Sequence, residues 1–443
     1  MTPFTSRLPR QPQPSRWGQL NAIVSAAQQG LADGLLHPVI IMSAIAFALG
    51  GSNGQLAAFA IIAGACWAIG RVLMNPLLVL IGSSTPVHVA GIILRLGAAL
   101  LMGLVATQLD DANPGNALDA LIVCYAAYEL GSMLTTFAQQ DPLTRPWSRA
   151  QTITATVATL IAGLVAAQVF ANDGLSLDQA IRYVILLAML AVIAGTWFAL
   201  QMPTRPRQDI GDHALVSVSG MLRAVSIPVV RRYLSYRVLI GIATLADPFL
   251  LAYGIRELGE GLRLAGMSLL AYAIAQIIGT TVFPRWVATR GTARHFQIAA
   301  FLRLIALVVI IGMPSVATSE AYRERFDDTT PVAWLIAIAV GLIGFERRLQ
   351  QHVNERYLGD MTSANVPFAA ESFANTVIGV LAFTPLIGAS LIARYSDEAA
   401  ITVAAVVAFI AMLVSAVLVE TRAHVSTRLN PWGEGGRRVQ REA

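Results

Sequence analysis

The sequence predicts an all-α membrane protein of twelve transmembrane helices in two pseudo-symmetric six-helix bundles. Three observations predict it. Apolar runs of about 20 residues recur along the whole chain, each long enough to span a bilayer as a helix. The 443 residues are 56% hydrophobic and only 13% charged, against about 25% charged in a soluble domain. The runs are continuous and do not alternate polar with apolar, which excludes a transmembrane barrel.

The spans fall at approximately 19–48, 55–81, 87–107, 117–138, 148–171, 179–201, 233–254, 262–284, 295–315, 332–353, 365–393 and 399–420. Residues 1–18, Pro-rich and basic with no apolar core, read as a disordered tail rather than a signal peptide. Residues 19–201 form the first bundle. Residues 202–232 form a basic linker whose part from Val216 to Arg232 is compatible with an interfacial amphipathic helix. Residues 233–420 form the second bundle, and 421–443 a second tail.

Arginine placement sets the orientation. All 31 basic residues are arginine. They gather in the tails (Arg7, Arg10, Arg16, Arg422, Arg428), beside Arg145 and Arg149, in the linker, after span eight (Arg285, Arg290, Arg294) and at the end of span ten (Arg347, Arg348, Arg356). The opposite connections, "QLDDANPGN", "NDGLSLDQ" and "SEAYRERFDDTT", are acidic or mixed. Both termini are therefore expected on the cytoplasmic face of the cell membrane. Cys66 and Cys124 both fall in apolar spans, so neither a disulfide nor a metal site is expected.

The halves echo each other. "ILRLGAALLMG" returns as "FLRLIALVVIIG", aligning Arg95 with Arg303. "GLADGLLHP" returns as "TLADPFLLA", aligning Asp33 with Asp247. "YEL" returns as "FER", aligning Glu129 with Glu346, and "AQT" at Ala150 returns as "AES" at Ala370.

Twelve spans, a basic central connection and two related halves resemble the major facilitator superfamily. "AFALGGSNGQLAAFAIIAGACWAIGRVL" and "NERYLGDMTSANVPFAAESFANTVIGVLAFTPLIGASLIARYS" are similar to a bacterial branch of it. The resemblance covers nearly the whole chain. It implies two bundles rocking about a central site, that is, secondary active transport by alternating access. One motif departs. Where the superfamily carries Gly-x-x-x-Asp-Arg after span two, this chain has "GSSTPVH", and "RWVATRGTARH" after span eight also lacks the aspartate. The departure keeps a second reading open: a non-transporting protein on the same scaffold that handles lipid or pigment or assists assembly of a membrane complex.

A lone charge in a membrane helix costs about 2.5–3.5 kcal/mol by insertion scales, so each should face a partner or water. Arg95 lies eight residues into span three, about 12 Å deep, and Glu129 lies nine from the end of span four, about 13 Å deep. Arg303 and Glu346 repeat the arrangement. Two pairs are expected, Arg95–Glu129 and Arg303–Glu346, acting either as a cytoplasmic latch or as static fasteners. Asp33 and Asp247 sit mid-span, each before a proline. Each is either a proton-coupling acid in the cavity or a hydrogen-bonded acid at a kink, with Arg71 a further candidate partner for Asp33. Arg71 corresponds to Gln276 in span eight, and an unmatched arginine suits an anionic group. Asn375, Gln168, Trp67 and Tyr272 are candidate cavity lining. Glu371, near the start of span eleven, is placed either in a gate or against Arg356 or Arg149 at the surface.

No Walker motif, metal-ligand cluster or nucleophile elbow occurs. The chain is thus expected to be a monomeric, non-enzymatic carrier without a cofactor. Its expected partners are a small organic solute, protons and the bilayer, not nucleic acid. Few sugar-like polar residues fall in the spans, which favours an amphiphilic solute. Import and export both stay open.

Overall fold

The computed structural model describes residues 16–109, 114–139, 149–202, 204, 225–290, 292–326, 328–361 and 366–418. Among them no strand occurs, and the helices run α1 Arg16–Leu35, α2 Ser43–Ala48, α3 Asn53–Ile81, α4 Thr85–Thr107, α5 Pro114–Gln139, α6 Arg149–Phe170 and α7 Leu177–Leu200. They continue as α8 Pro228–Ile242, α9 Leu250–Leu258, α10 Arg263–Arg290, α11 Ala293–Thr318, α12 Glu320–Arg323, α13 Thr330–Met361, α14 Val366–Leu381, α15 Thr384–Arg394 and α16 Asp397–Ser415.

Eleven helical stretches among the described residues are long and apolar enough to cross a membrane. The expected tenth span coincides with α13, 32 residues long, which is not among the eleven. Helix starts follow the local sequence. Ser52 and Gln55 close a capping box on α3, and Ser176 and Gln179 close another on α7. In each, two backbone N–H groups left open by helix geometry gain side-chain acceptors. Gly82, the glycine of "GSSTPVH", ends α3 in a left-handed conformation at φ 70°, where a side chain would meet its own backbone. The outward faces stay apolar: Ile93, Val123, Leu190 and Val380 are all exposed, which suits hydrocarbon as solvent.

Two spans are broken at their middles. Pro38 has no N–H, and α1 stops at Leu35. The chain resumes as a π-helical turn, Pro38–Met42, in which His37 Nδ1 accepts from the Ile40 N–H at 3.2 Å and Ser43 Oγ donates to the Pro38 carbonyl at 2.7 Å. In the second half, Ala243–Phe249 winds as a 3₁₀ helix around Pro248 between α8 and α9. Residues Pro228 to Arg232 belong to α8 and its membrane span rather than to a separate interfacial helix.

The first-half helices pack α1 on α6 and α7, and α4 on α5 and α7. The second-half helices pack α10 on α13, and α11 on α13 and α16. The halves meet along α6–α10, along α3 with α14 and α15, and where the π turn faces the 3₁₀ segment. The α6–α10 seam depends on small residues. A Cβ on Gly266 would lie 2.4 Å from the Ala167 backbone, and one on Gly163 would lie 2.8 Å from the Leu270 nitrogen. With no side chain at either glycine, the two backbones approach closely enough for dispersion contacts along the seam.

Candidate functional site

Among the described residues, two clusters of charged side chains, one per half, sit on the broken helices and their neighbours. In the second half, Arg303 on α11 is 1% exposed and donates through Nη1 to Asp247 Oδ1 at 2.8 Å. Its Nη2 reaches Asp247 Oδ2 at 3.3 Å and Glu346 Oε2 at 3.2 Å. The 3₁₀ winding supplies one more acceptor, the Ala243 carbonyl, at 3.2 Å from Nη1. Glu346 also accepts from Gln350, one turn along α13. Arg347 reaches Asp247 Oδ2 at 2.6 Å. The expected Arg303–Glu346 pair is thus present, within a larger network that also holds Asp247.

The first half is built differently, and the expected Arg95–Glu129 pair is corrected. Arg95 Nη2 meets Asp33 Oδ1 at 3.2 Å and Tyr128 Oη at 2.7 Å, with its guanidinium 4.9 Å from the Tyr128 ring centroid. Tyr128 Oη in turn donates to Asp33 Oδ1 at 2.6 Å. Glu129 instead accepts from Tyr125 Oη at 2.5 Å. Tyr128 and Glu129 are neighbours in sequence and therefore about 100° apart around the helix. Arg95 lies on the Tyr128 side.

Between the halves lies a cavity of about 340 Å³, lined by Gln29, Asp33 and His37 of the first span, Thr156 and Thr159 of α6, Tyr272 and Gln276 of α10, and Arg347 and Gln351 of α13. That volume falls in the range of about 300–1,000 Å³ of small-molecule sites. Asp33 faces it with a side chain 45% exposed and Arg347 with one 34% exposed, whereas Asp247 is 3% exposed. Both contacts to Asp33 fall on Oδ1. Gln276 lines the cavity as expected, its amide donating to the Gly344 carbonyl at 2.8 Å. The lining stops at His37 on the first span and begins at Arg347 on α13. Beyond those residues Val39, Ile40, Leu250, Leu251, Val340 and Ile343, with His37, Asp247, Tyr272 and Arg347 at the rim, enclose only about 10 Å³, about the least a single water needs. The cavity therefore ends at a packed floor at the level of the helix breaks.

Sequence reasoning missed four participants. Arg347 was counted among the surface arginines at the end of span ten, but it lines the cavity. His37, Tyr125 and Tyr128 carried no charge to mark them. Trp67 packs against Phe137 at 6.0 Å, and Gln168 is exposed and does not line the cavity. The side chains of Arg71, Asn375, Glu371, Arg149 and Arg356 lie outside the described residues, as do Arg145, the two tails before residue 16 and after residue 418, and most of the 202–232 linker. Among the described residues no group of three or more metal-ligating side chains occurs, and Cys66 and Cys124 are unpaired.

Apolar helices around a polar central cavity, two of them broken at mid-span, define a polytopic helical membrane architecture. Solved structures give that architecture a name. The chain is similar to the D-xylose–proton symporter at a TM-score of 0.61 and 12% identity, over 91% of this chain and 98% of that one. It is similar to the nucleoside transporter NupG at 0.59 and 12%, over 91% and 98%. It is similar to the human organic anion transporter MFSD10 at 0.52 and 13%, over 91% and 100%. The fold is that of the major facilitator transporters. No protein-family model matches the chain, and no curated protein matches it.

Proposed function

We propose that this chain is a secondary active transporter of a small organic solute, coupled to protons through Asp33. It works by alternating access between two six-helix halves, with twelve spans in the cell membrane and both termini cytoplasmic. The carrying observation is the Asp33 side chain, 45% exposed in the cavity between the halves with Oδ2 free of partners among the described residues. The solved proteins of this fold include two sugar–proton symporters and a nucleoside transporter, which supports a small solute as cargo.

The chemistry follows from exposure. While water fills the cavity, an ionised Asp33 is solvated on one oxygen and paired on the other. When the halves close, that water is expelled, and a carboxylate without it must be paired or neutralised. A proton on Oδ2 satisfies the requirement and leaves the Arg95–Tyr128 contacts on Oδ1 in place. Asp247 lacks this freedom, since both its oxygens already face guanidinium groups. It serves as a static fastener.

The test is proton flux in proteoliposomes containing purified protein, with solutes first selected by thermal stabilisation from a metabolite library. Solute addition should move protons across the vesicle, and Asp33→Asn should reduce that flux to the level of protein-free vesicles. Unchanged flux in the variant removes Asp33 from the coupling. A folded protein that moves no stabilising solute favours the non-transporting reading.

A further inference from the structure

The two clusters are related by repeat, so their differences mark what was added beyond fastening. Both halves keep an aspartate at the helix break, an arginine two spans later and a glutamate on the span after that. They part company one position beyond the glutamate. In the first half that position is Leu130, an exposed apolar side chain. In the second it is Arg347, whose Nη2 holds Asp247 and whose Nη1 and Nε have no partner among the described residues. Arg303 alone already gives Asp247 a partner on each oxygen. A second cation is therefore not needed to fasten the helices, and this one projects into the central cavity.

The geometry points to Arg347 as the group that binds an anionic headgroup, a carboxylate, on the transported solute. This deepens the transport reading and rests on the cavity as the solute site. Asp247 is shared between two guanidinium groups, and Glu346 is engaged by Arg303 and Gln350, so Arg347 keeps N–H groups that the cluster does not use and presents them to the cavity. A planar guanidinium with free N–H groups matches a carboxylate's two oxygens. His37 lines the same wall. Its Nδ1 accepts from the Ile40 N–H, so in the neutral ring the proton sits on Nε2, which supplies a further donor. The cavity, about 340 Å³, falls in the size range of small-molecule sites and admits a compact solute. Asp33 shares that space, so an ionised Asp33 opposes the anion and a neutral one admits it. Solute anion and proton then enter together.

The experiment uses the full chain purified in detergent and reads thermal unfolding against matched compact probes: benzoate and phenylacetate, their amides, and benzylamine. Both carboxylates should stabilise wild-type protein, and the amides and the amine should not. Arg347→Gln should weaken carboxylate binding by about 10–100-fold, the loss expected for hydrogen bonds to a charged group. Asp33→Asn should bind benzoate at least as tightly as wild type. Should Arg347→Gln fail to fold because Asp247 loses a partner, Arg347→Gln with Asp247→Asn keeps the charge balanced and carries the same expectation. Equal stabilisation by acids and amides, no stabilisation by any probe, or full carboxylate binding in the folded Arg347 variant overturns the assignment. Loss of proton flux in Asp33→Asn is read separately, so carboxylate binding stands or falls independently of proton coupling.

Discussion

Asp33 and Asp247 occupy equivalent positions on two broken helices, yet the first has a side chain 45% exposed and the second 3%. Each is held by an arginine two spans along the chain, Arg95 at 3.2 Å and Arg303 at 2.8 Å. The second partner differs: a tyrosine hydroxyl for Asp33, a second guanidinium for Asp247. Replacing each aspartate by asparagine should therefore give opposite phenotypes. Asp33→Asn should fold with near-normal thermal stability and lose proton-coupled flux. Asp247→Asn strands Arg303 and Arg347 without their shared anion and should destabilise by about 3–5 kcal/mol, the cost of breaking a buried pair from one side. Thermal unfolding in detergent measures both. Equal stability of the two variants contradicts the difference in burial.

The first-half contacts make a separate prediction about charge reversal. Arg95 faces Asp33 and Tyr128, while Glu129 faces Tyr125. Asp33→Arg with Arg95→Asp should recover more monodisperse protein than either single change. Arg95→Glu with Glu129→Arg should recover none. Tyr128→Phe should cost about 1–3 kcal/mol, because it removes the hydroxyl shared by the Asp33 carboxylate and the Arg95 guanidinium. Rescue by the Arg95/Glu129 swap identifies the wrong partner.

The reasons these residues were legible in the sequence, and their contacts less so, are physical. Arg95, Arg303, Asp33 and Asp247 stand out because hydrocarbon makes a lone charge costly, so each advertises a partner or a cavity. Depth along a helix follows from counting residues, and it correctly placed Arg303 level with Glu346. Rotation about the helix axis does not follow from counting, and it is rotation that turns Arg95 toward Tyr128 and away from Glu129. Arg347 was hidden by its neighbours. With Glu346 before it and Arg348 after it, it resembles the charged end of a span, although its side chain faces the cavity. His37 lies within "GLADGLLHP" and carries no charge that marks it as part of the site. Its role depends on the helix break that Pro38 creates, and the resulting hydrogen bond to Ile40 exists only in three dimensions.

The α6–α10 seam predicts sensitivity to a single methyl group. A Cβ on Gly266 would meet the Ala167 backbone, which has no flexible side chain to move aside. Gly266→Ala should force the two helices apart and cost about 1–3 kcal/mol, as overpacking does. Gly174→Ala, whose added Cβ would meet only the Asn172 side-chain oxygen at 3.2 Å, should be near neutral. Thermal unfolding separates the two, and an unaffected Gly266→Ala shows that the seam is looser than its geometry implies.

A further contact joins the two halves at the α9–α16 end, and under the proposed alternating access it predicts how the conformational balance can be shifted. Arg256 on α9 lies with its guanidinium 5.4 Å from the Phe47 ring centroid on α2. Asp397, at the first turn of α16, pairs with the same arginine and holds it over the ring. Phe47 belongs to the first half and Arg256 to the second, so the contact joins the two halves beyond the packed floor of the cavity. A cation over an aromatic face contributes about 0.5–1 kcal/mol at an exposed site. That is small against total stability but shifts a balanced two-state equilibrium several-fold. Asp397→Asn should free Arg256, and Phe47→Ala should remove the ring. Both should leave folding intact and raise the population open at the α9–α16 end. A cysteine introduced at Val39, on the packed floor below Arg347, reports the change through its rate of labelling by a membrane-impermeant thiol reagent applied from that side, in a background with Cys66 and Cys124 replaced. Faster labelling in both variants than in the parent supports the latch. If Asp397→Asn and Phe47→Ala label at the parent's rate, the Arg256–Phe47 contact does not hold that end closed, and closure rests on the backbone packing of α2 against α9.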